Sequence, residues 1–210
     1  MVILHLNTEI ITKLKKKILV TGIGGHSRSC LDIIENTKQY EIAGYVEKNK
    51  NSIKHLTDLK FLGLDEDLSE IFKKIKYAHI AFGQIKNLGL RKNLYEKLIK
   101  IGFKFPKIIS KKSIISEKKV SIGKGTIIMN NVTINSHCFI GDNCIINTGS
   151  IIEHDCHIGS HSLIGPGSII NGGAKLGEEI FLGSGSVVRN GAKLKSKSFF
   201  PMMSKIKWKT

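Results

Sequence analysis

The chain has 210 residues, 41% hydrophobic and 24% charged, and 33 Lys and Arg against 17 Asp and Glu give it a formal net charge of +16. That length allows one large domain or two small ones, and no stretch reaches the roughly 20 apolar residues of a membrane span. The lysines are dispersed and carry no interleaved aromatics, which argues against nucleic-acid binding, while a positive surface favours an anionic cofactor or substrate.

Residues 1–14 read as an N-terminal extension. Their short apolar run, Val2 to Leu4, is broken by His5 and followed by lysines, unlike a secretory signal, so a cytoplasmic location is expected. Residues 15–110 then alternate between strand and helix signals. Lys17 to Gly22 (Lys-Ile-Leu-Val-Thr-Gly) is a β-branched run ending in glycine. Gly22-Ile-Gly-Gly-His26 follows, and Ser27 to Thr37 has helical spacing. A second strand is expected from Glu41 to Val46, a helix from Asp65 to Lys74 and a third strand from Ala78 to Gly83. Another helix should run from Leu90 to Ile101 and a fourth strand from Phe105 to Ile109. This alternation implies a parallel, Rossmann-like α/β sheet.

The glycine-rich turn supports two readings. One is a tight strand-to-helix connection. The other is a phosphate or sugar held at a helix N-terminus. Ser27 stands where a dinucleotide fingerprint has its third glycine, and Glu47 is the candidate acid for a ribose.

From Ile122 to Leu194, thirteen aliphatic residues recur every six positions without an insertion. Four residues after each lies a small or β-branched side chain, such as Thr126, Ser150 or Ser168. Six is neither the helical period of 3.6 nor the strand period of 2. It fits a short strand and a turn, three times per eighteen-residue coil, with rungs stacking roughly 4.8 Å apart. Residues 111–198 are therefore expected to form a left-handed parallel β-helix, Lys111–Lys119 being an imperfect first coil. Residues 199–210 are expected to leave the coil and fold back as a tail. Three of the four cysteines (Cys138, Cys144 and Cys156) take the small inward position and read as packing, and Cys30 has no partner suggesting a disulfide.

Four histidines lie in the repeat. His137, His157 and His161 read as solvated, because their phases do not converge as metal ligands must, and no metal is expected. His154 lies in Glu153-His154-Asp155, and eighteen-residue arithmetic stacks it on Gly172 and then Asn190. A base beside bare backbone at Gly172 and Gly173 is what acyl transfer needs. Asp155 could fix the imidazole tautomer.

The domain order, Gly22-Ile-Gly-Gly-His26 and the segment Asn147 to Gly159 together resemble bacterial sugar acetyltransferases. That family includes sialic-acid O-acetyltransferases and N-acetyltransferases of UDP-4-amino-sugars, and the resemblance spans about Lys17 to Lys207. It implies a homotrimer with acetyl-CoA between neighbouring β-helices, His154 as general base and Asp155 orienting it. Gly172 backbone would meet the thioester, and Gly173, Ser184 and Asn190 complete the candidate donor set. Asn147 would help place the acceptor. Gly22, Gly24, Gly25, His26 and Glu47 would hold a sugar nucleotide rather than a nicotinamide. The chain departs from the family at Leu163, where a second histidine is frequent, and at Glu47-Lys48, where an acidic pair is common. It also departs at Phe200 to Lys205, only loosely like the usual Val-Pro-Ala-Lys ending. The expected activity is N-acetylation of an aminodeoxy sugar for surface glycans. Its alternatives are O-acetylation of a sialic-acid-like sugar, another acyl donor, or a non-catalytic sugar-binding or assembly protein.

Overall fold

The computed structural model describes residues 15–48, 58–83 and 88–207; the expected extension 1–14 lies outside them. Strand β1 (Lys16–Thr21) pairs in parallel with β2 (Tyr40–Glu47) on one side and β4 (Tyr77–Ile80) on the other. Strand β3 (Phe61–Leu64), which the sequence reading left unassigned, pairs with β2 and gives the order β3-β2-β1-β4. The aliphatic core of β1, Ile18 to Val20, is fully buried. Helix α1 (Gly25–Thr37) turns Cys30, Leu31, Ile33 and Ile34 inward. Helices α2 (Leu68–Lys74) and α3 (Leu88–Ile101) complete the domain. Because the chain goes from β1 outward to β2 and β3 and then back to β4, a crevice opens beyond the carboxyl ends of β1 and β4.

The expected fourth strand of this sheet does not form. Lys104 makes one isolated bridge to Tyr77. Ile108–Ile109 instead pairs with Ile127–Ile128 and Ile114–Ile115 pairs with Thr133–Ile134. The β-helix therefore starts at Ile108. Ile109 to Ile115 keeps the six-residue step, but Ile115 to Ile122 takes seven, and that extra residue hides the first rungs from a strict period.

Two-residue rungs then build three parallel faces. The first face carries Ile127–Ile128, Ile145–Ile146, Leu163–Ile164 and Phe181–Leu182. The second carries Thr133–Ile134, Ile151–Ile152, Ile169–Ile170 and Val187–Val188. The third carries Phe139–Ile140, His157–Ile158, Lys175–Leu176 and Lys193–Leu194. The second residue of each of these rungs points inward and is at most 4% exposed, each contributing roughly 1.5–3 kcal/mol of burial. The architecture is a left-handed parallel β-helix behind an α/β domain.

A second series of period six sets the corners. Every sixth residue from Lys119 to Met203 has a positive φ. Several of these are glycines, such as Gly149 and Gly173, but Asn131, His137, Asn143, Asp155 and His161 also adopt it. Left-handed backbone costs an ordinary residue roughly 1–2 kcal/mol, and Asn, Asp and His tolerate it best. His137 and His161 therefore occupy corner positions that suit them for backbone reasons alone.

The expected tail is also corrected. Phe199–Phe200 pairs with Phe181–Leu182 and Lys205–Ile206 pairs with Val187–Val188, so the coil continues to Ile206. Phe200 and Ile206 take the inward places of the ladder, and Met203 supplies the left-handed corner. Among the described residues, no helix is long and apolar enough to cross a membrane.

Candidate active site

The corner between the second and third faces brings His154, Asp155, Gly172, Gly173 and Asn190 together. The strand Ile151–Ile152 ends at Glu153, and Glu153 Oε2 accepts from Asn135 Nδ2 at 2.8 Å. His154 and Asp155 then turn the corner, both side chains exposed. His154 Nδ1 lies 2.7 Å from Asp155 Oδ2. With Nδ1–H donating to the carboxylate, Nε2 keeps its lone pair. That hydrogen bond is the main reason the His154 pKa is raised above its ordinary value.

Gly172 is the next floor. Its N-terminal neighbour Asn171 is tied to Val188 O through Nδ2, and Gly173 N–H donates to His154 O at 2.9 Å. A Cβ built on Gly172 would lie 2.7 Å from His154 Nε2 and 3.2 Å from Asn190 Nδ2. Among the described residues, the Gly172 N–H meets no acceptor. The eighteen-residue stack thus places a basic nitrogen beside a free backbone donor with no side chain between them. That pairing can take a proton and stabilise a developing oxyanion.

The other predicted residues lie elsewhere. Asn147 and Ser184 sit at the corner between the first and second faces. Asn147 Oδ1 accepts from Thr148 N–H, and Ser184 O accepts from Met203 N–H. Within one chain, one side of the coil separates them from His154. Leu163 projects outward from the first face but is buried, and lies under Gly83 of the α/β domain.

In the α/β domain, a cleft of about 630 Å³ opens at the carboxyl ends of the strands. Gly22, Gly24 and Glu47 line it, with Lys48, Asp65, Phe82 and the α3 residues Asn93 and Lys97. Gly22 has φ +78°, and a Cβ there would sit 2.6 Å from the Phe82 ring. Glu47 is buried and Oε1 accepts the Ile23 N–H at 2.6 Å, so one carboxylate oxygen braces the glycine-rich turn. Gly25 and His26 are not among the lining residues. Among the described residues His26 Nε2 is buried without a partner, and burial, then the nearby Arg91 charge, bring its pKa down to about 4.

Sequence reasoning missed Arg91 and His79, both fully buried. A charged residue inside a helix with no motif around it gives no signal of burial. It also misread His161 as solvated. His161 Nδ1 lies 3.0 Å from Asn143 Nδ2, and the ring packs edge-on against Tyr95 of α3. Burial, the largest influence, lowers its pKa. Nearby, Lys92 Nζ bonds Glu179 Oε1 at 2.9 Å, so this cluster joins the two domains. His157 is exposed and stacks on Phe139. Among the described residues, no group of three or more His, Cys, Asp or Glu is placed to hold a metal ion.

Both parts of the chain match known protein families. The PglD N-terminal domain family matches residues 17–98. The bacterial transferase hexapeptide family matches residues 137–172 and 155–190. A histidine-to-asparagine variant of perosamine N-acetyltransferase from Caulobacter crescentus, in complex with CoA and GDP-perosamine, is 26% identical with a TM-score of 0.83, covering 92% of this chain and 90% of its own. The acetyltransferase domain of PglB from Neisseria gonorrhoeae, in complex with acetyl coenzyme A, has a TM-score of 0.83 at 22% identity, covering 93% and 92%. WeeI from Acinetobacter baumannii has a TM-score of 0.77 at 20% identity, covering 93% and 94%. The last two likenesses speak to the fold. The chain thus carries a PglD-type N-terminal domain followed by bacterial transferase hexapeptide repeats, and its structural neighbours include a perosamine N-acetyltransferase.

Proposed function

We propose that the protein transfers the acetyl group of acetyl-CoA to the amino group of a nucleotide-activated aminodeoxy sugar, as one step in building a surface glycan. The observation that carries this reading is the trio His154, Asp155 and Gly172. His154 Nε2 accepts the proton of the acceptor amine as its nitrogen attacks the thioester carbonyl. The Gly172 N–H faces the oxygen that becomes negative. Asp155 holds the Nδ1–H tautomer and stabilises the imidazolium. The tetrahedral intermediate then collapses, the C–S bond breaks, and the proton passes to the departing thiolate. No acyl-enzyme forms.

The cleft lined by Gly22, Gly24 and Glu47 suits the nucleotide part of the acceptor. The perosamine enzyme's complex with CoA and GDP-perosamine supports both ligand classes. The same reading takes the protein to act as a homotrimer, and the positions of the parts support it. The α/β domain packs on the first face of its own coil, through Gly83 on Leu163, and at the neighbouring corner, through Tyr95 on His161. His154 lies at the one corner the first face does not share. A sugar held by the α/β domain of one copy can then meet His154 of another, as can Asn147 and Ser184 from a neighbouring corner.

The test is thiol release from acetyl-CoA with UDP- and GDP-linked 4-amino-sugars, CMP-linked nonulosonic acids and free nonulosonic acids. Release with an amino-sugar nucleotide, lost in His154→Ala, is expected. Release with only a nonulosonic acid would make the protein an O-acetyltransferase. Unchanged release in His154→Ala would remove the assigned base.

A further inference from the structure

Arg91 is fully buried, and no carboxylate is hydrogen-bonded or ion-paired to it among the described residues. Its Nη1 donates to Ile80 O at 2.5 Å and Phe82 O at 3.0 Å. Among the described residues, its Nε and Nη2 meet no partner, and neither do the two ring nitrogens of the fully buried His79. The surrounding groups cannot supply a counter-charge. Burial holds His26 and His79 neutral by lowering their pKa values, and holds the Cys30 and Cys144 thiols protonated by raising theirs to about 12 and about 11. A buried charge left unpaired is costly, so its retention here calls for a physical account.

Its position supplies one. His26 and Cys30, both under the Arg91 field, lie on the first two turns of α1, directly after Gly24 and Gly25. Phe82, whose carbonyl Arg91 holds, packs on Gly22 at the cleft floor. The guanidinium therefore acts on the first two turns of α1 and holds the Phe82 wall of the cleft. At the turn itself, Cβ atoms on Gly24 and Gly25 would meet nothing within 4 Å, so the start of α1 is open to a ligand.

We infer that Arg91 is a positioning residue for an anionic acceptor: it fixes the Phe82 wall of the cleft, and its unpaired charge adds to the N-terminal end of α1 to favour a diphosphate at the Gly24–Gly25 turn. This rests on the nucleotide-sugar reading above and deepens it. The ligand's diphosphate is the counter-charge the protein lacks. Being buried, the charge is little screened by salt, unlike that of Lys48 or Lys97 at the cleft.

The experiment compares the affinity of the full-length protein for UDP and GDP with that for uridine and guanosine, by calorimetry, in wild type, Arg91→Lys and Arg91→Met. In wild type the diphosphate should improve binding, and most of the gain should survive 0.5 M NaCl. Arg91→Met should lose roughly tenfold of it, with the acceptor KM rising and the acetyl-CoA KM unchanged; Arg91→Lys should keep most of it. A folded Arg91→Met with the wild-type diphosphate gain overturns the role of Arg91 alone. If that variant does not fold, the wild-type salt series decides: a gain abolished by salt assigns it to surface lysines and overturns the inference. Absence of diphosphate binding in wild type overturns this inference; the nucleotide-sugar reading falls with it only if no thiol is released with an amino-sugar nucleotide either.

Discussion

His154 Nδ1 and Asp155 Oδ2 lie 2.7 Å apart although the residues are adjacent in sequence. Adjacent side chains in an extended strand point to opposite faces. Here Asp155 takes the left-handed corner conformation, φ 59°, and both side chains leave the coil at the same corner. The pairing of base and carboxylate is thus a product of the corner geometry that the six-residue repeat imposes.

That pairing sets a pH dependence. Asp155 stabilises the imidazolium, so the His154 pKa lies above its ordinary value of about 6.5. A base acts when neutral, so kcat/KM should fall as pH drops through this raised pKa. In Asp155→Asn the anion is gone, the imidazolium loses its stabilisation, and the acidic limb should move to lower pH. The plateau rate should drop about tenfold or more, because the tautomer is no longer held. A profile of kcat/KM between pH 5 and 9 for both proteins checks this; a limb that stays in place would sever Asp155 from the base.

Gly172→Ala is the steric counterpart. The Gly172 φ lies outside the left-handed range, so alanine meets no backbone penalty there. Its Cβ would nevertheless fall 2.7 Å from His154 Nε2, and the imidazole must move. The expected result is a thermal midpoint within a few degrees of wild type and a kcat lower by roughly tenfold to a hundredfold, since displacements of about 1 Å are enough for that. Wild-type kcat in this variant would mean that Nε2 does not work against the Gly172 backbone.

How much of this was legible beforehand depends on which residues obey a period. The aliphatic ladder fixed the stack of His154 on Gly172 and Asn190, because eighteen-residue arithmetic needs only an unbroken register. The same arithmetic stopped at both ends, for different reasons. The seven-residue step from Ile115 to Ile122 hid Ile108–Ile109. Phe200 and Ile206 take the next two inward places, but Phe200 is not aliphatic, so an aliphatic ladder stops at Leu194. His161 was illegible because its burial is made by contact between the domains, and Arg91 because a charged helix residue with no motif around it gives no local signal of burial. Glu47 was found as an acid for a ribose, yet one of its oxygens is committed to the Ile23 N–H, a pairing across 24 residues that spacing alone does not reveal.

That hydrogen bond carries its own expectation. In Glu47→Ala the Ile23 N–H loses its acceptor in a buried setting, at about 1–3 kcal/mol. Glu47→Gln can still accept through its amide oxygen and should retain most of the stability. Both should raise the acceptor KM more than the acetyl-CoA KM, since the braced turn belongs to the cleft and not to the His154 corner. Chemical denaturation with steady-state kinetics separates the two effects; equal stability of the alanine and glutamine variants would count against the brace.

The last coil tests whether residues after Ser198 are structural. Gly183, Val187 and Arg189 donate their N–H groups to Phe200, Ser204 and Ile206 carbonyls, and Phe199 stacks on Phe181 at 4.6 Å with the rings 6° from parallel. A chain ending at Ser198 would break those bonds, uncover Phe181, Leu182 and Val188, and leave two rungs as open edges. Losing the burial of Phe200 and Ile206 alone removes about 3–5 kcal/mol. For a protein of this size that lowers the melting temperature by about 10 °C. Open parallel edges with apolar side chains should also make the truncated protein associate at concentrations where the full chain does not. Thermal melts with light scattering read both effects. A truncated protein that melts with the full chain and stays dispersed would mean that the coil is already complete at Ser198.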